Sequence, residues 1–319
     1  MTRVTVIIPV KDDPRVFDAV RSVLGCAGEV ESLQLLVVDN ASEASFAAEL
    51  SSKLEAPAEM LREDQLGVYR ARNRGIAQAT GDVVVFTDAD CVVRKGWLAA
   101  ALTALDAGAD LVQGYSASLG SSKVDGLLQA RYEAHLRKLR PGDGTECDTR
   151  NLAVRMSVFK SLNFNDQFRR VSDTEFGLLA EARGFRVCYA PAMQVDHAHD
   201  TSLRVFAAKQ VCHGWGAQRL MQQHPEIRWH GGHLKLVARV TNRLTAARFA
   251  RFLAPASTWL AMACAGMLER SVRWLPGRVA FWALTAVDKL TALNEHLAYR
   301  QGAPEPSPSE LLGRSLARD

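Results

Sequence analysis

The chain reads as an α/β protein with a doubly wound, mostly parallel sheet flanked by helices, followed by an α-helical C-terminal subdomain. Three observations carry this. Apolar, β-branched runs of strand length recur through the first 115 residues, too continuous for strands wetted on one face. Between them lie stretches with apolar residues at helical spacing, so strand and helix alternate. The runs also end in carboxylates, Asp39 after the second and Asp88 and Asp90 after the fourth, at the strand ends beyond which open α/β sheets bind ligands.

Taken in order, Val4 to Pro9 is the first strand. Asp12-Asp13-Pro14 then offers an N-cap and a proline in the first turn, opening a helix to about Leu24. Leu33 to Val38 is the second strand, and Ser42 is placed to cap a helix to about Leu54. Met60-Leu61 is a short third strand. Gly67 to Ala79 has helical spacing and stops before Gly81. Asp82 to Thr87 is the fourth strand, closed by Asp88-Ala89-Asp90, and a helix over Gly96 to Leu105 and a strand over Leu111 to Tyr115 follow. From Ser202 the pattern turns helical, with one long segment from Leu203 to Met221. Residues 302–319, with three prolines in their first half, read as a loosely ordered tail.

Composition narrows the function classes. The 319 residues are 48% hydrophobic and 23% charged, with a net charge of +4, so nothing in the charge asks for nucleic acid. The six cysteines, at 26, 91, 147, 188, 212 and 264, form no Cys-x-x-Cys pair, which favours reduced thiols in a cytoplasmic compartment over disulfides or a zinc site. The apolar run Val4 to Val10 is too short for a signal peptide and stops at Lys11-Asp12-Asp13. No run reaches the ~20 apolar residues of a spanning helix.

Two carboxylates one residue apart at a strand end can direct oxygens at a hard divalent cation, or can simply solvate the strand end and cap the next helix. A dinucleotide-binding dehydrogenase would need a glycine-rich turn after the first strand, and Pro9-Val10-Lys11-Asp12-Asp13-Pro14 contains no glycine. The phosphate-loop pattern is missing as well. The pattern fits a nucleotide held by side chains: Asp39 to accept from a base N–H, and Arg70, Arg72 and Arg74 near a helix start for phosphate or base. The competing reading of those arginines is a solvated helix face, which suits two of the three.

Val6-Ile7-Ile8-Pro9, Val37-Val38-Asp39-Asn40-Ala41-Ser42, Ala71-Arg72-Asn73-Arg74-Gly75 and Thr87-Asp88-Ala89-Asp90 come in the order and spacing of family 2 glycosyltransferases of the GT-A fold, which the chain resembles over roughly residues 4–200. Thr149 to Arg155, Phe164 to Phe168, Val171 to Gly177, Arg183 to Pro191 and Val195-Asp196-His197 continue the likeness. It implies a catalytic domain over 1–200, with 1–115 binding the nucleotide sugar and 116–200 facing the acceptor, and a helical subdomain over 201–301. It implies an inverting, non-processive transfer of one sugar from a nucleoside-diphosphate sugar, most often a UDP-sugar, to an acceptor hydroxyl. Pro9, Lys11, Asp39, Arg72, Asp88 and Asp90 would hold the donor, and Mn2+ or Mg2+ would bind at Asp90 with Asp88 and His197. His199, two residues on, would share a strand face with His197. In the family a Glu-Asp pair supplies the base; here Ser172 stands for the Glu, so Asp173 is the expected base and Glu175 the nearby competitor.

In the last third, the Gln-x-x-Arg-Trp motif of processive synthases is not matched by Gln210 to Trp215. Residues 227–268 contain no acidic side chain, and Lys235, Arg239 and Arg243 recur every four residues on one face with Leu236, Val240 and Leu244 beside them. An ordinary helical subdomain explains this; a peripheral contact of 228–251 with the inner face of an anionic membrane is the sharper alternative. His230-Gly231-Gly232-His233 reads as loop. The acceptor, whether glycan, lipid-linked or small molecule, has no code in the sequence. Two other functions compete: a nucleotidyltransferase on a similar sheet, which would want a glycine-rich turn after strand one, and a catalytically inactive nucleotide-sugar-binding or membrane-associated protein, suggested by Ser172.

Overall fold

The computed structural model describes residues 2–136, 147–199, 202–225, 260–287 and 307–312. The chain divides into two compact units, one of residues 1–119 with 139–198 and one of residues 120–138 with 199–319.

The first unit is built on eight strands: β1 (Arg3–Val10), β2 (Ser32–Asn40), β3 (Glu59–Glu63), β4 (Val83–Thr87), β5 (Cys91–Val93), β6 (Leu111–Ser118), β7 (Asn151–Arg155) and β8 (Val187–His197). They lie side by side in the order 3-2-1-4-7-6-8-5. The first four are parallel; β7 then runs antiparallel to β4 and β6, β8 is parallel to β6, and β5 is antiparallel to β8. The sheet is therefore parallel on its N-terminal side and mixed beyond β4. Side-chain alternation explains the continuous apolar runs. Val4, Val6 and Ile8 of β1 and Val83 and Val85 of β4 face one layer, with α1 (Val16–Leu24), α2 (Ala44–Lys53) and α4 (Trp97–Asp106). Ile7 of β1 and Val84 and Phe86 of β4 face the other, with α3 (Val68–Gln78) and α6 (Ser172–Ala182). Gly75 explains the close of the Ala-Arg-Asn-Arg-Gly run: a Cβ there would stand 2.7 Å from Ile7 Cγ2, so only glycine lets α3 lie this close to β1.

Three local expectations change. Helix α1 starts at Val16 rather than at Asp12-Asp13-Pro14. Asp12 takes a left-handed φ of 51° and accepts from the Glu43 amide at 2.8 Å, while Asp13 accepts from the Arg15 amide at 3.0 Å. Ser42 caps nothing, because its hydroxyl accepts from the Asp12 amide at 3.0 Å and α2 begins at Ala44. Both side chains tie the β1 and β2 ends together rather than starting helices.

The second unit contains α5 (Lys123–Leu136), α7 (Leu203–Gln223) and helical residues 260–271 and 277–287. Its core joins Leu127, Leu203, Phe206, Leu268 and Leu284. Within the tail read as loosely ordered, Pro308–Leu312 is a helix whose Leu311 and Leu312 pack on that core, because two adjacent leucines there have an apolar surface to cover. The basic face at 228–251 and the His230 to His233 run lie outside the described residues.

Candidate functional site

The expected donor residues collect at the C-terminal ends of the parallel strands. Pro9 and Val10 end β1, in register with Val38 and Asp39 of β2. Asp39 is fully buried and both its oxygens are used: Oδ1 accepts from the Ser42 amide at 3.1 Å, and Oδ2 pairs with Arg62. It thus anchors the loop and still has lone pairs for a base N–H. Lys11, just past β1, pairs with Asp12 on the rim.

Of the three arginines on α3, only Arg72 is buried, at 3% exposure; Arg74 is exposed and Arg70 reaches Asp166 at 3.5 Å. Arg72 Nη2 donates to Asp88 Oδ1 at 2.5 Å, while its Nε is buried with no hydrogen-bond partner. A buried guanidinium with a spare donor is an anion-binding group awaiting a partner. Burial pushes the Asp88 carboxyl up, Arg72 opposes that, and the nearby Asp90 and Asp148 push the same way as burial.

Asp90 meets His197 because Cys91, its neighbour, pairs with His197 across β5 and β8. His197 Nε2 lies 3.5 Å from Asp90 Oδ2, and Arg15 Nη2 lies 3.9 Å from the same oxygen. Burial alone would raise Asp90, but His197, Arg15 and Arg150 outweigh it and hold the carboxyl below its ordinary range. Beyond His197, Arg150 Nη1 approaches His197 Nδ1 at 3.2 Å, and Arg150 Nε donates to Asp148 Oδ2 at 2.8 Å. Burial would raise Asp148 too, yet Arg150 brings it down to about 2. His199 does not share this face. Strand β8 stops at His197, so alternation no longer applies, and His199 Nε2 instead meets Gln129 Oε1 at 3.1 Å.

Asp173 sits in the first turn of α6, held by donors of a different kind. Oδ1 accepts from the Tyr69 hydroxyl at 2.9 Å and from the Thr174 amide at 3.0 Å; Oδ2 accepts from the Thr149 hydroxyl at 3.2 Å and its amide at 3.3 Å. Glu175 is only 3% exposed and accepts from Asn165 at 3.4 Å, whereas Asp173 is half-buried, so Asp173 is the more accessible of the two carboxylates. Ser172 is fully buried with an unpartnered hydroxyl. Burial, followed by the charge of Asp173, pushes the Tyr69 phenol well up.

Two continuous routes join the Asp88/Asp90 corner to Asp173. One passes from Asp88 to Arg72, whose guanidinium carbon is 5.5 Å from the Tyr69 ring centre, and on through the Tyr69 hydroxyl. The other is the segment Asp148-Thr149-Arg150, which touches Asp173 through Thr149 and His197 through Arg150. Asn151 fixes that segment, accepting from Trp97 Nε1 at 2.8 Å and donating to the carbonyls of Tyr115 and Met193. Sequence reasoning missed Tyr69, Arg15 and Asp148 as site residues. Tyr69 could have been found, since it lies one helical turn before Arg72.

The donor set can be tested against a divalent ion. Among the described residues no three His, Cys, Asp or Glu side chains stand together as a metal cage. Asp90 Oδ2 and His197 Nε2, 3.5 Å apart, are spaced as neighbouring ligands of one ion, since bonds of ~2.1 Å at right angles separate ligand atoms by ~3 Å. Such a pair would be an incomplete protein set, which suits only an ion whose other ligands would be phosphate and water. Arg150 faces Nδ1 of His197, which leaves Nε2 as the ring nitrogen on the Asp90 side, and Nε2 ligates an ion only when it carries no proton.

With the geometry in view, comparison with known proteins gives a consistent outcome. Residues 5–163, very nearly half of the chain, match the model of Glycosyl transferase family 2. A pre-mycofactocin glycosyltransferase of Mycobacterium tuberculosis is 27% identical over 238 residues, covering 70% of this chain and 48% of its own length. Glycosyltransferase AglE of Haloferax volcanii is 31% identical over 122 residues, 35% of this chain and 38% of its own. The chain thus spans about half, or less, of the length of these relatives. Among solved structures, a mannosyltransferase from Pyrobaculum calidifontis in complex with GDP-Man and Mn2+ superposes with a TM-score of 0.60 at 18% identity, covering 92% of this chain and 87% of that one. Glucosyl-3-phosphoglycerate synthase from Mycobacterium tuberculosis, in complex with Mn2+, UDP and phosphoglyceric acid, gives 0.50 at 17% identity over 72% of this chain and 81% of that one. At such identities the superpositions speak for the GT-A fold.

Proposed function

The chain belongs to glycosyl transferase family 2, and from that premise we propose that it is an inverting, metal-dependent, non-processive transferase moving one sugar from a nucleoside-diphosphate sugar to an acceptor hydroxyl. The observation that carries the reading is the double connection between Asp173 and the Asp88/Asp90 corner through Tyr69-Arg72 and Asp148-Thr149-Arg150. A sugar transfer needs a proton acceptor and a diphosphate-binding corner fixed relative to one another, and these contacts link the two.

In this reading Asp173, aimed by Tyr69 and Thr149, takes the proton from the acceptor hydroxyl as its oxygen attacks the anomeric carbon and the bond to the diphosphate breaks. Arg72 turns its unpartnered Nε to the donor and keeps Asp88 in place. Asp39, Pro9 and Lys11 line the nucleotide side. Asp90, with His197, would hold Mn2+ or Mg2+, which supplies Lewis-acid neutralisation of the leaving diphosphate when bound. A UDP-sugar is the donor we expect; the GDP-Man in the Pyrobaculum structure makes a guanosine donor the first alternative to test. All six cysteines are free thiols, which supports placing the reaction in the cytoplasm. A nucleotidyltransferase or an inactive binding protein is not favoured, since the family match and the two carboxylate stations point to transfer.

The test is a panel of nucleotide sugars with and without Mn2+, read by thermal stabilisation and by release of the nucleoside diphosphate. One sugar donor should stabilise the protein and be slowly hydrolysed only with metal present. Preference for a nucleoside triphosphate, or tight binding with no turnover under any acceptor mixture, would count against the proposal.

A further inference from the structure

The second unit uses one side of residues 260–287 for its own core, through Met262, Leu268, Val272, Ala280 and Leu284. The opposite face is not the polar one a solvated helix carries. Leu260 and Met267, two turns apart on the first helix, are 42% and 60% exposed, and Trp274, in the turn that follows it, is 76% exposed; Val279 and Trp282, one turn apart on the second helix, are 49% and 72% exposed. Exposed Arg270, Arg273 and Arg278 stand among them, with the Arg273 guanidinium carbon 5.2 Å from the Trp274 ring centre.

The sequence that contains this surface is basic. Residues 227–287 hold nine Lys and Arg and a single acid, Glu269, a formal +8 in a chain whose net is +4, so the remaining residues carry −4. Glu269 is itself occupied by the Ser202 hydroxyl at 2.9 Å.

Scattered exposed apolar residues are ordinary, but two tryptophans aligned with Leu, Met and Val among arginines form a surface with a purpose. Tryptophan favours the boundary between headgroups and acyl chains, aliphatic side chains enter below it, and arginine pairs with lipid phosphate. A nucleic acid would use the arginines and the rings but leave Leu260, Met267 and Val279 without partners. A second copy of this chain would set the same positive charge against itself. No helix among the described residues is long and apolar enough to cross a membrane, so the contact is with its surface. We propose that the outward face of residues 260–282 is a docking surface for an anionic lipid bilayer.

The full chain is tested by co-sedimentation with vesicles of phosphatidylcholine alone and with about one-third phosphatidylglycerol. Binding is expected to the anionic vesicles, with a blue shift of tryptophan emission, and to weaken at ~0.5 M salt as the charges are screened. The double variant Trp274→Ser/Trp282→Ser should lose about tenfold or more of that binding while keeping its circular dichroism and melting temperature. Arg270→Gln/Arg273→Gln/Arg278→Gln should abolish the preference for anionic over neutral vesicles. Equal binding by wild type and the tryptophan variant overturns the proposal, as does failure of the wild type to bind at low salt. So does a wild-type dimer that the tryptophan variant dissolves without any vesicle binding, or an affinity for single-stranded DNA that the same substitutions remove in its place.

Discussion

Two groups of carboxylates stand in the first unit, and they are held by opposite means. Asp88, Asp90 and Asp148 are each faced by a guanidinium, Arg72, Arg15 and Arg150 respectively. Asp173 takes its hydrogen bonds only from hydroxyls and amides, and Arg72 acts on it through charge without forming an ion pair. The difference teaches what each can do. A carboxylate fastened to a cation is committed to its charge and suits the binding of a metal and diphosphate. One fastened by neutral donors is aimed without a cation bonded to it, which suits a group that must accept a proton and release it.

The largest expected effect breaks the comparison at its neutral end. Asp173→Asn should lower kcat by ~10²–10⁴-fold with the fold retained, since it removes the proposed proton acceptor. Glu175→Gln in the same assay should cost far less, and a reversal of the two would hand the base role to Glu175. Next, Asp90→Asn should cost on the order of 10²-fold in transfer, about 2.7 kcal/mol of lost charge stabilisation, and should erase the Mn2+-dependent part of nucleotide binding in a thermal-shift titration. Retention of full metal dependence by that variant would move the metal elsewhere. Tyr69→Phe removes one neutral hydrogen bond worth ~1 kcal/mol, so kcat should fall about fivefold with donor KM unchanged. A matching rise in donor KM would instead place Tyr69 in donor binding.

The smallest effect tests the cationic end by pH. Asp148 is lowered to about 2 by Arg150, from an ordinary value of ~3.9. A lowered carboxylate adds stability above its unfolded value and loses it as pH falls through the folded one. The melting-temperature gap between wild type and Asp148→Asn should therefore be full above about pH 4 and shrink as pH falls toward about 2. A gap independent of pH over that window would show that the Arg150 pairing does not tune the group.

Much of this arrangement was legible because strand ends are. Apolar runs ending in Asp39 and in Asp88 and Asp90 placed those carboxylates at one edge of a sheet, and the parallel half of the sheet has them there. Long-range pairings were not legible. Nothing in local spacing says that β5 pairs with β8 and so sets His197 beside Asp90, or that Thr149 reaches Asp173. Caps were misread for the same reason: Ser42 and Asp12 have cap chemistry, but a neighbouring loop took their hydrogen bonds. The His199 expectation failed because strand periodicity holds only while the strand lasts, and β8 ends at His197.

The division of labour between the two carboxylate groups is tested most directly by titrating, in the presence of Mn2+, the nucleoside diphosphate that stabilises the wild type into Asp173→Asn and Asp90→Asn side by side. Asp173→Asn should bind it within about twofold of wild type while its turnover is lost, and Asp90→Asn should lose the binding itself by about tenfold or more. Parallel loss of binding in both variants, or turnover by Asp173→Asn near the wild-type rate, would contradict the assignment of proton transfer to Asp173 and diphosphate binding to Asp90.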